Sequence, residues 1–311
     1  MTAKRSASAK KRRGRLARYW ELYLLFLPVF IWYIIYCYLP MGGLVIAFKN
    51  FTPLKGVFGS NWVGMANFIK IFSAPSFLTA VKNTVIISLL NLAIVFPIPI
   101  LFAILLNELS GRHFKKLVQT VSYLPHFISW SVAASLVYML LAPSTGAINN
   151  LIAALGGEAK NFLGTSRYFR TILISSSIWK GMGWSAIVYL AAITGVDEQL
   201  YEAAYIDGAT RLKRIWHITL PGISSTISVL LILQVGSLLS TNFDQIFALA
   251  NSTVMDVAET IDYYIYRVGL QTSNSFSVAT ASGMVKSVIG LILVTAANWG
   301  SKKIDEGEGI W

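Results

Sequence analysis

The stretch from Leu22 to Phe48 runs for 27 residues without a single charge. A spanning helix needs about 20 predominantly apolar residues, so this run can cross a bilayer. It is too long for the roughly 7–15-residue apolar core of a cleaved signal peptide, and no small-x-small cleavage site follows it. Five more apolar stretches come after it, at about 80–107, within 117–141, and at 171–195, 222–246 and 278–301. Within hydrocarbon every backbone N–H and C=O has to be satisfied internally, so stretches of this length read as helices. The expectation is an all-α membrane protein with six transmembrane helices. Pro28, Pro97, Pro99 and Pro125 are expected to kink or delimit their helices, because each removes an N–H donor.

Composition agrees with that reading. Hydrophobic residues make up 55% of the chain and charged residues 13%, against about 25% charged in a soluble domain. Lys4, Arg5, Lys10, Lys11, Arg12, Arg13, Arg15 and Arg18 precede Tyr19 with no acidic residue among them. Next to an apolar stretch, such a segment reads as a cytoplasmic topology anchor attracted to anionic lipid, not as a nucleic-acid arm. Cys37 is the single cysteine; no intrachain disulfide is open to it, and its place inside a span marks it as a structural thiol. No repeat or interdomain linker stands out. The economical organisation is a basic segment 1–20, one membrane domain 21–301 and a short tail 302–311.

Basic residues orient the bundle. With the N-terminus inside, the cytoplasmic side holds the eight basic residues of the first segment, Arg112, Lys115, Lys116, Arg211, Lys213, Arg214, Lys302 and Lys303. The outside holds Lys49, Lys55, Lys70, Lys82, Lys160, Arg167, Arg170 and Arg267, half as many spread over longer segments. Both termini are therefore expected in the cytoplasm. Three outside segments, about 48–79, 142–170 and 247–277, are too short for separate domains and long enough for a docking surface. Asn61, Trp62, Asn67 and Phe68, with Tyr263, Tyr264, Tyr266 and Arg267, mix aromatic and polar groups there.

The polar loop between the fourth and fifth stretches, 197–221, carries the most specific pattern. Asp197 is a good N-cap, and Glu198 and Glu202 suit the positive end of the helix that follows. Ala203 and Ala204 form helix without bulk, so another surface can approach closely. Gly208 permits the positive φ at which helices commonly end. A second short helix carries Arg211, Lys213, Arg214 and Trp216, closed by Pro221. The product is a helix-turn-helix whose short helix can enter a groove on a partner.

Written out, the loop reads E-A-A-x3-G-x9-I-x-L-P, from Glu202-Ala203-Ala204 through Gly208 to Ile218-Thr219-Leu220-Pro221. This resembles the coupling loop of permease subunits in binding-protein-dependent ABC importers. The resemblance implies the type I importer permease (MetI-like) fold in a bacterial cell membrane. It implies a second permease subunit, two ATPase subunits that bind ATP and Mg, and an extracellular solute-binding protein. Glu202, Ala203, Ala204, Asp207, Gly208 and Arg211 would be the ATPase-coupling positions. Asn242-Phe243-Asp244-Gln245-Ile246-Phe247, the run Glu259 to Leu270, and the ending Gly307 to Trp311 look like the carbohydrate branch serving complex oligosaccharides and polysaccharide fragments. No G-x-x-x-x-G-K-[ST] phosphate loop is present, so ATP binding is left to the partner subunit.

Polar groups inside the apolar stretches are functional candidates, because burying them in lipid is costly. Lys180 and Lys286 fall at similar depth, and Asp244 is available as a counter-ion. One expectation is that the lysines face the translocation path and attract a carboxylated sugar such as a uronate oligosaccharide; the other is that they pair with Asp244 or snorkel. Trp130, Tyr138, Trp179, Trp184 and Tyr189 are candidate platforms for sugar rings. Asn242 and Gln245 are candidate polar contacts, with Asn83, Asn91 and Gln234 adding polar groups within the spans.

Two other classes compete. His113, His126 and His217 are dispersed and show no metal-binding spacing such as H-E-x-x-H, which argues against a metalloenzyme. An ion-coupled secondary transporter or channel for a small polar solute would be expected to carry buried carboxylates and internal repeats. The apolar stretches are nearly free of carboxylates, and neither rival uses the coupling pattern.

Overall fold

The apolar runs do fold as helices. The computed structural model describes residues 19–272 and 275–304. The basic segment before Tyr19 and the ending Gly307 to Trp311 lie outside the described residues. α1 (Trp20–Tyr33) buries none of its residues against the described chain and continues through a π-helical turn and a 3-10 segment to Phe48, in which Ala47 is buried. A small hairpin follows, β1 (Lys49–Asn50) antiparallel to β2 (Asn61–Trp62) with Lys49 opposite Trp62. Next come α2 (Ala66–Phe72), α3 (Pro75–Leu90) and α4 (Pro97–Glu108). α5 (Arg112–Tyr123), α6 (Trp130–Leu141) and α7 (Ala147–Ala154) lead to α8 (Ser166–Thr194). The chain ends through α9 (Glu198–Ile206), α10 (Arg211–Arg214), α11 (Ser224–Gly236), α12 (Phe243–Leu249), α13 (Met255–Ala258), α14 (Ile261–Tyr266) and α15 (Phe276–Ile304).

Among the described residues, three helical stretches are long and apolar enough to cross a membrane: Trp20–Phe48, Pro75–Glu108 and Phe276–Ala296. Two bent pairs bring the number to five. α8, with 29 residues and a length of about 43 Å at 1.5 Å per residue, is long enough to cross as well. Ser175, Ser176, Ser177 and Lys180 make it more polar than the other three.

The third stretch breaks where Pro125 was expected to kink or delimit it, and the fifth departs from the continuous helix expected. The third is bent by 107° between Arg112–Phe127 and Trp130–Leu141. Pro125 sits in a 3-10 turn, Ile128 and Ser129 are extended, and the Ser129 hydroxyl restarts the helix by accepting from the Val132 N–H at 3.3 Å. The fifth ends at Gly236 instead of 246. Asn242 caps a separate helix, α12, by accepting from the Gln245 N–H. The elbow's second arm closes one residue past Pro221: helix persists to Gly222, and a 62° bend follows. Pro28 is carried inside α1 without interrupting it. A π-helical turn at Asn91–Val95, with the Phe96 N–H donating to the Asn91 carbonyl, precedes Pro97 and absorbs the donors lost there.

Lipid tails are as apolar as leucine, so helices associate in a bilayer through close packing of small residues and through hydrogen bonds. α8 is the axis of that packing. Toward its C-terminal end, Ala186, Tyr189 and Ile193 lie against Ile100, Ala103 and Ile104 of α4 and against Ile223. Toward its N-terminal end, Phe169 and Leu173 join Ile87, Ala134, Ile246, Leu249 and Val254. A third cluster holds α2, α3, α14 and α15 together through Phe68, Ile71, Phe77, Tyr264 and Val278.

The segments read as outside gather at one end. The Phe51 N–H donates to Ser277 Oγ (2.9 Å), Asn251 Nδ2 to the Leu163 carbonyl (2.8 Å) and Ser166 Oγ to Asp256 Oδ1 (2.6 Å). The 197–221 loop lies at the opposite end of α8.

Candidate functional site

The loop after α8 is a rigid elbow. Asp197 caps α9 by accepting from the Gln199 N–H at 3.0 Å. At its other end, Gly208 takes φ +72, the Ala209 N–H donates to the Ala204 carbonyl and the Gly208 N–H to the Tyr205 carbonyl. That pair of bonds is the Schellman arrangement, which needs a residue free to adopt positive φ. Thr210 then caps α10 by accepting from the Lys213 N–H. The hydroxyls of Tyr201 and Thr219 meet at 2.9 Å and join the two arms. A Cβ on Gly222 would lie 2.8 Å from Val196 Cγ2, so the two feet of the loop are in close contact. Ile193 and Ile223 fix both feet in the same core cluster.

What this elbow presents is apolar as well as charged. Glu202, Ala203, Asp207, Gly208 and Arg211 are exposed and Ala204 is half-buried. Between them stand Leu200, Tyr205, Ile206, Leu212 and Trp216, all exposed, with Ile206 at 83%. The Arg214 guanidinium lies 6.0 Å over the Tyr205 ring. Five large apolar side chains on one short, internally braced turn form a surface with no cover from the described residues. Reading the loop for charge and glycine names Trp216 and passes over the other four; the signal was apolar residues recurring in an otherwise polar segment.

Two cavities gather several of the path candidates. One, of about 440 Å3, is lined by Asn91, Phe96, Trp184, Ser185, Tyr189, Gln234 and Ser237. The other, of about 350 Å3, is lined by Ser129, Trp130, Ser131, Tyr138, Asp244 and Phe247. Trp184 and Tyr189 thus share one cavity, and Trp130, Tyr138 and Asp244 share the other. Both combine aromatic faces with hydroxyl, amide or carboxylate groups. Trp179 lines an apolar groove with Leu136, Phe162 and Tyr168 instead.

The remaining path candidates are engaged elsewhere. Gln245 is 2% exposed and donates to the Leu173 carbonyl (2.7 Å) and Ser176 Oγ (3.0 Å). Asn242 is a helix cap. Lys286 pairs with Asp262 at 2.5 Å, so Asp262 and not Asp244 is its counter-ion. Lys180 donates to the His126 carbonyl at 2.7 Å, with the Pro125 carbonyl at 3.5 Å and the Trp130 ring at 5.5 Å. Asn83 belongs to an outer brace: it accepts from Arg170 and donates to the carbonyls of Asp256 and Glu259, while Glu259 pairs with Arg267 at 2.6 Å.

The family of binding-protein-dependent transport system inner membrane components matches residues 95–305. The chain belongs to that family. It is a membrane permease subunit of an ABC importer. The polygalacturonan/rhamnogalacturonan transport system permease protein YteP of Bacillus subtilis (strain 168) is 50% identical over 93% of this chain and 90% of its own length. Protein LplB of the same organism is 44% identical over 93% and 91%. In three dimensions the permease resembles a chain of a bacterial ABC transporter involved in the import of the acidic polysaccharide alginate. The TM-score is 0.89 at 42% identity, over 95% of this chain and 99% of that one. The alginate transporter has also been solved in complex with an alginate pentasaccharide-bound periplasmic protein, and a chain of that complex matches at a TM-score of 0.88. The fold is that of type I importer permeases.

Proposed function

We propose that this permease forms, with a second permease subunit, the translocation path of an ATP-driven importer for oligosaccharides or polysaccharide fragments, uronate-containing ones included. The observation that carries the reading is the elbow: a braced turn with five uncovered apolar side chains, rooted in the core through Ile193 and Ile223. An ATPase groove is the partner that such a turn suits, with Glu202, Ala203, Ala204, Asp207, Gly208 and Arg211 at the contact. An ion-coupled carrier has no use for it. Six spans, with both termini in the cytoplasm, put the elbow on the ATPase side and the 48–79, 142–170 and 247–277 segments on the side of an extracellular solute-binding protein.

In this mechanism loaded binding protein docks outside, two partner subunits holding ATP and Mg close, and the closure pushes the elbow. The helices shift between two packings that open the cavities alternately to the two sides. Sugar rings stack on Trp130, Tyr138, Trp184 and Tyr189, while Asp244, Gln234 and Ser237 meet hydroxyl groups. Uronate import is supported by what the similar permeases carry. Lys180 and Lys286 are both engaged within this chain, so the choice of acidic over neutral sugars falls to the binding protein. Copurification and uptake test the reading: Gly208→Pro and Glu202→Lys should insert normally, yet lose sugar uptake relative to ATP hydrolysis. Normal uptake in both variants would refute it.

A further inference from the structure

We infer that Lys180 is a positioning residue that links the elbow's motion to the cavity around Trp130, by gripping the break in the third apolar stretch. Three residues on one face of α8, at i, i+3 and i+4, hold that break. Lys180, 9% exposed, donates to the His126 carbonyl and faces the Trp130 ring. Gly183 lies so near the first arm that a Cβ there would be 2.2 Å from the Ser122 carbonyl oxygen. Trp184 stacks on the His126 ring at 4.5 Å and 5°.

The electrostatics suit the task. A helix that stops leaves its last carbonyls without partners in the next turn, and a cation is favoured at that end. Ring and carbonyls together supply the negative field that a buried ammonium requires. Among the described residues Lys180 makes no ion pair, so its charge is held by the break itself. The bent segment therefore cannot move along α8 without uncovering a charge or driving Ser122 into the backbone at Gly183.

This grip lies on a continuous mechanical line. From Lys180 the helix runs without interruption to Thr194 and directly into the elbow. Beyond the break, α6 begins at Trp130 and lines the cavity that Asp244 faces. A displacement of the elbow moves α8, α8 moves the break, and the break re-aims Trp130. The inference rests on the proposed role of the elbow.

The test uses the whole transporter, both permeases and both ATPases, in proteoliposomes with its solute-binding protein. Coupling free energies of about 1–3 kcal/mol correspond to about 5–150-fold. Lys180→Met should therefore raise ATP hydrolysed per oligosaccharide imported by about fivefold or more, equally for neutral and acidic substrates, and Lys180→Arg should restore coupling. Wild-type coupling in Lys180→Met overturns the inference. So does a loss confined to acidic substrates, which would make Lys180 a sugar contact. If Lys180→Met does not assemble, maleimide labelling of Ser131→Cys in a Cys37→Ser background decides. Labelling should depend on nucleotide with Lys180 present and lose that dependence in Lys180→Gln; dependence retained in Lys180→Gln overturns the inference. Glu202→Lys and Gly208→Pro are run in parallel. Uncoupling there without uncoupling in Lys180→Met removes only this linkage, whereas no effect in either Glu202→Lys or Gly208→Pro removes the elbow reading itself.

Discussion

Asp244 and Gln245 are consecutive in the chain and face opposite ways: the carboxylate lines a cavity with Trp130 and Tyr138, while the amide is buried against α8. Their substitutions should therefore separate cleanly. Gln245→Ala removes two donated hydrogen bonds and the one accepted from Ser177 (2.9 Å). It leaves the Leu173 carbonyl and Ser176 without that partner, a loss of about 3 kcal/mol. Asp244→Ala, at an exposed position, should shift stability by no more than about 0.5 kcal/mol and reduce uptake severalfold. Thermal unfolding in detergent and uptake in proteoliposomes check the two halves. A stability loss in Asp244→Ala would contradict the geometry.

Lys286 and Asp262 tie α15 to α14, and Thr241 Oγ1 lies 3.4 Å from the second carboxylate oxygen. Both side chains are about one-fifth exposed, so the pair is only partly desolvated. Removing one partner of a fully buried pair costs about 3–5 kcal/mol, and this site should lose less, about 2 kcal/mol. Lys286→Met should unfold earlier than wild type. Combining it with Asp262→Asn should recover part of the loss, because the uncompensated charge is gone. Earlier unfolding of the double variant than of Lys286→Met would show that the charges are not the interaction that matters.

The sequence made most of the helices legible because lipid demands long apolar runs and punishes exposed backbone. The elbow was legible for a different reason: Asp197 and Gly208 occupy positions where a cap and a positive φ leave few alternatives. What stayed hidden depends on partners far apart in the chain. Nothing near Lys180 announces that its charge meets carbonyls 54 and 55 residues away, and nothing near Lys286 names Asp262 over Asp244. The break in the third stretch was announced by Pro125, but the one in the fifth was hidden, because Asn242 is a cap only if the chain has already turned and apolar periodicity does not register a turn inside an apolar run.

The apolar side chains on the elbow carry the next expectation. Ile206 and Trp216 are exposed, so Ile206→Ser and Trp216→Ser should leave the unfolding temperature of the isolated permease unchanged. Interface anchors of this kind cost about 2 kcal/mol or more when truncated, about 30-fold in affinity. ATPase retention during purification in detergent should fall accordingly. Full retention in both variants would place the ATPase contact elsewhere on the elbow.

Tyr201 and Thr219 brace the two arms, and Thr219 is buried while Tyr201 is half-buried. Tyr201→Phe leaves a buried hydroxyl without its partner, which costs about 1–3 kcal/mol, whereas removing both hydroxyls is nearly neutral. Tyr201→Phe should therefore unfold earlier than the Tyr201→Phe, Thr219→Val pair. Both should bind the ATPase normally, because the exposed surface of the elbow is unchanged. Both should nonetheless spend more ATP per oligosaccharide, because a brace that no longer spans the arms lets α9 yield before α8 moves. Stability restored in the pair with coupling still impaired would separate the brace's mechanical role from its contribution to folding. Coupling restored along with stability would assign the hydrogen bond to folding alone.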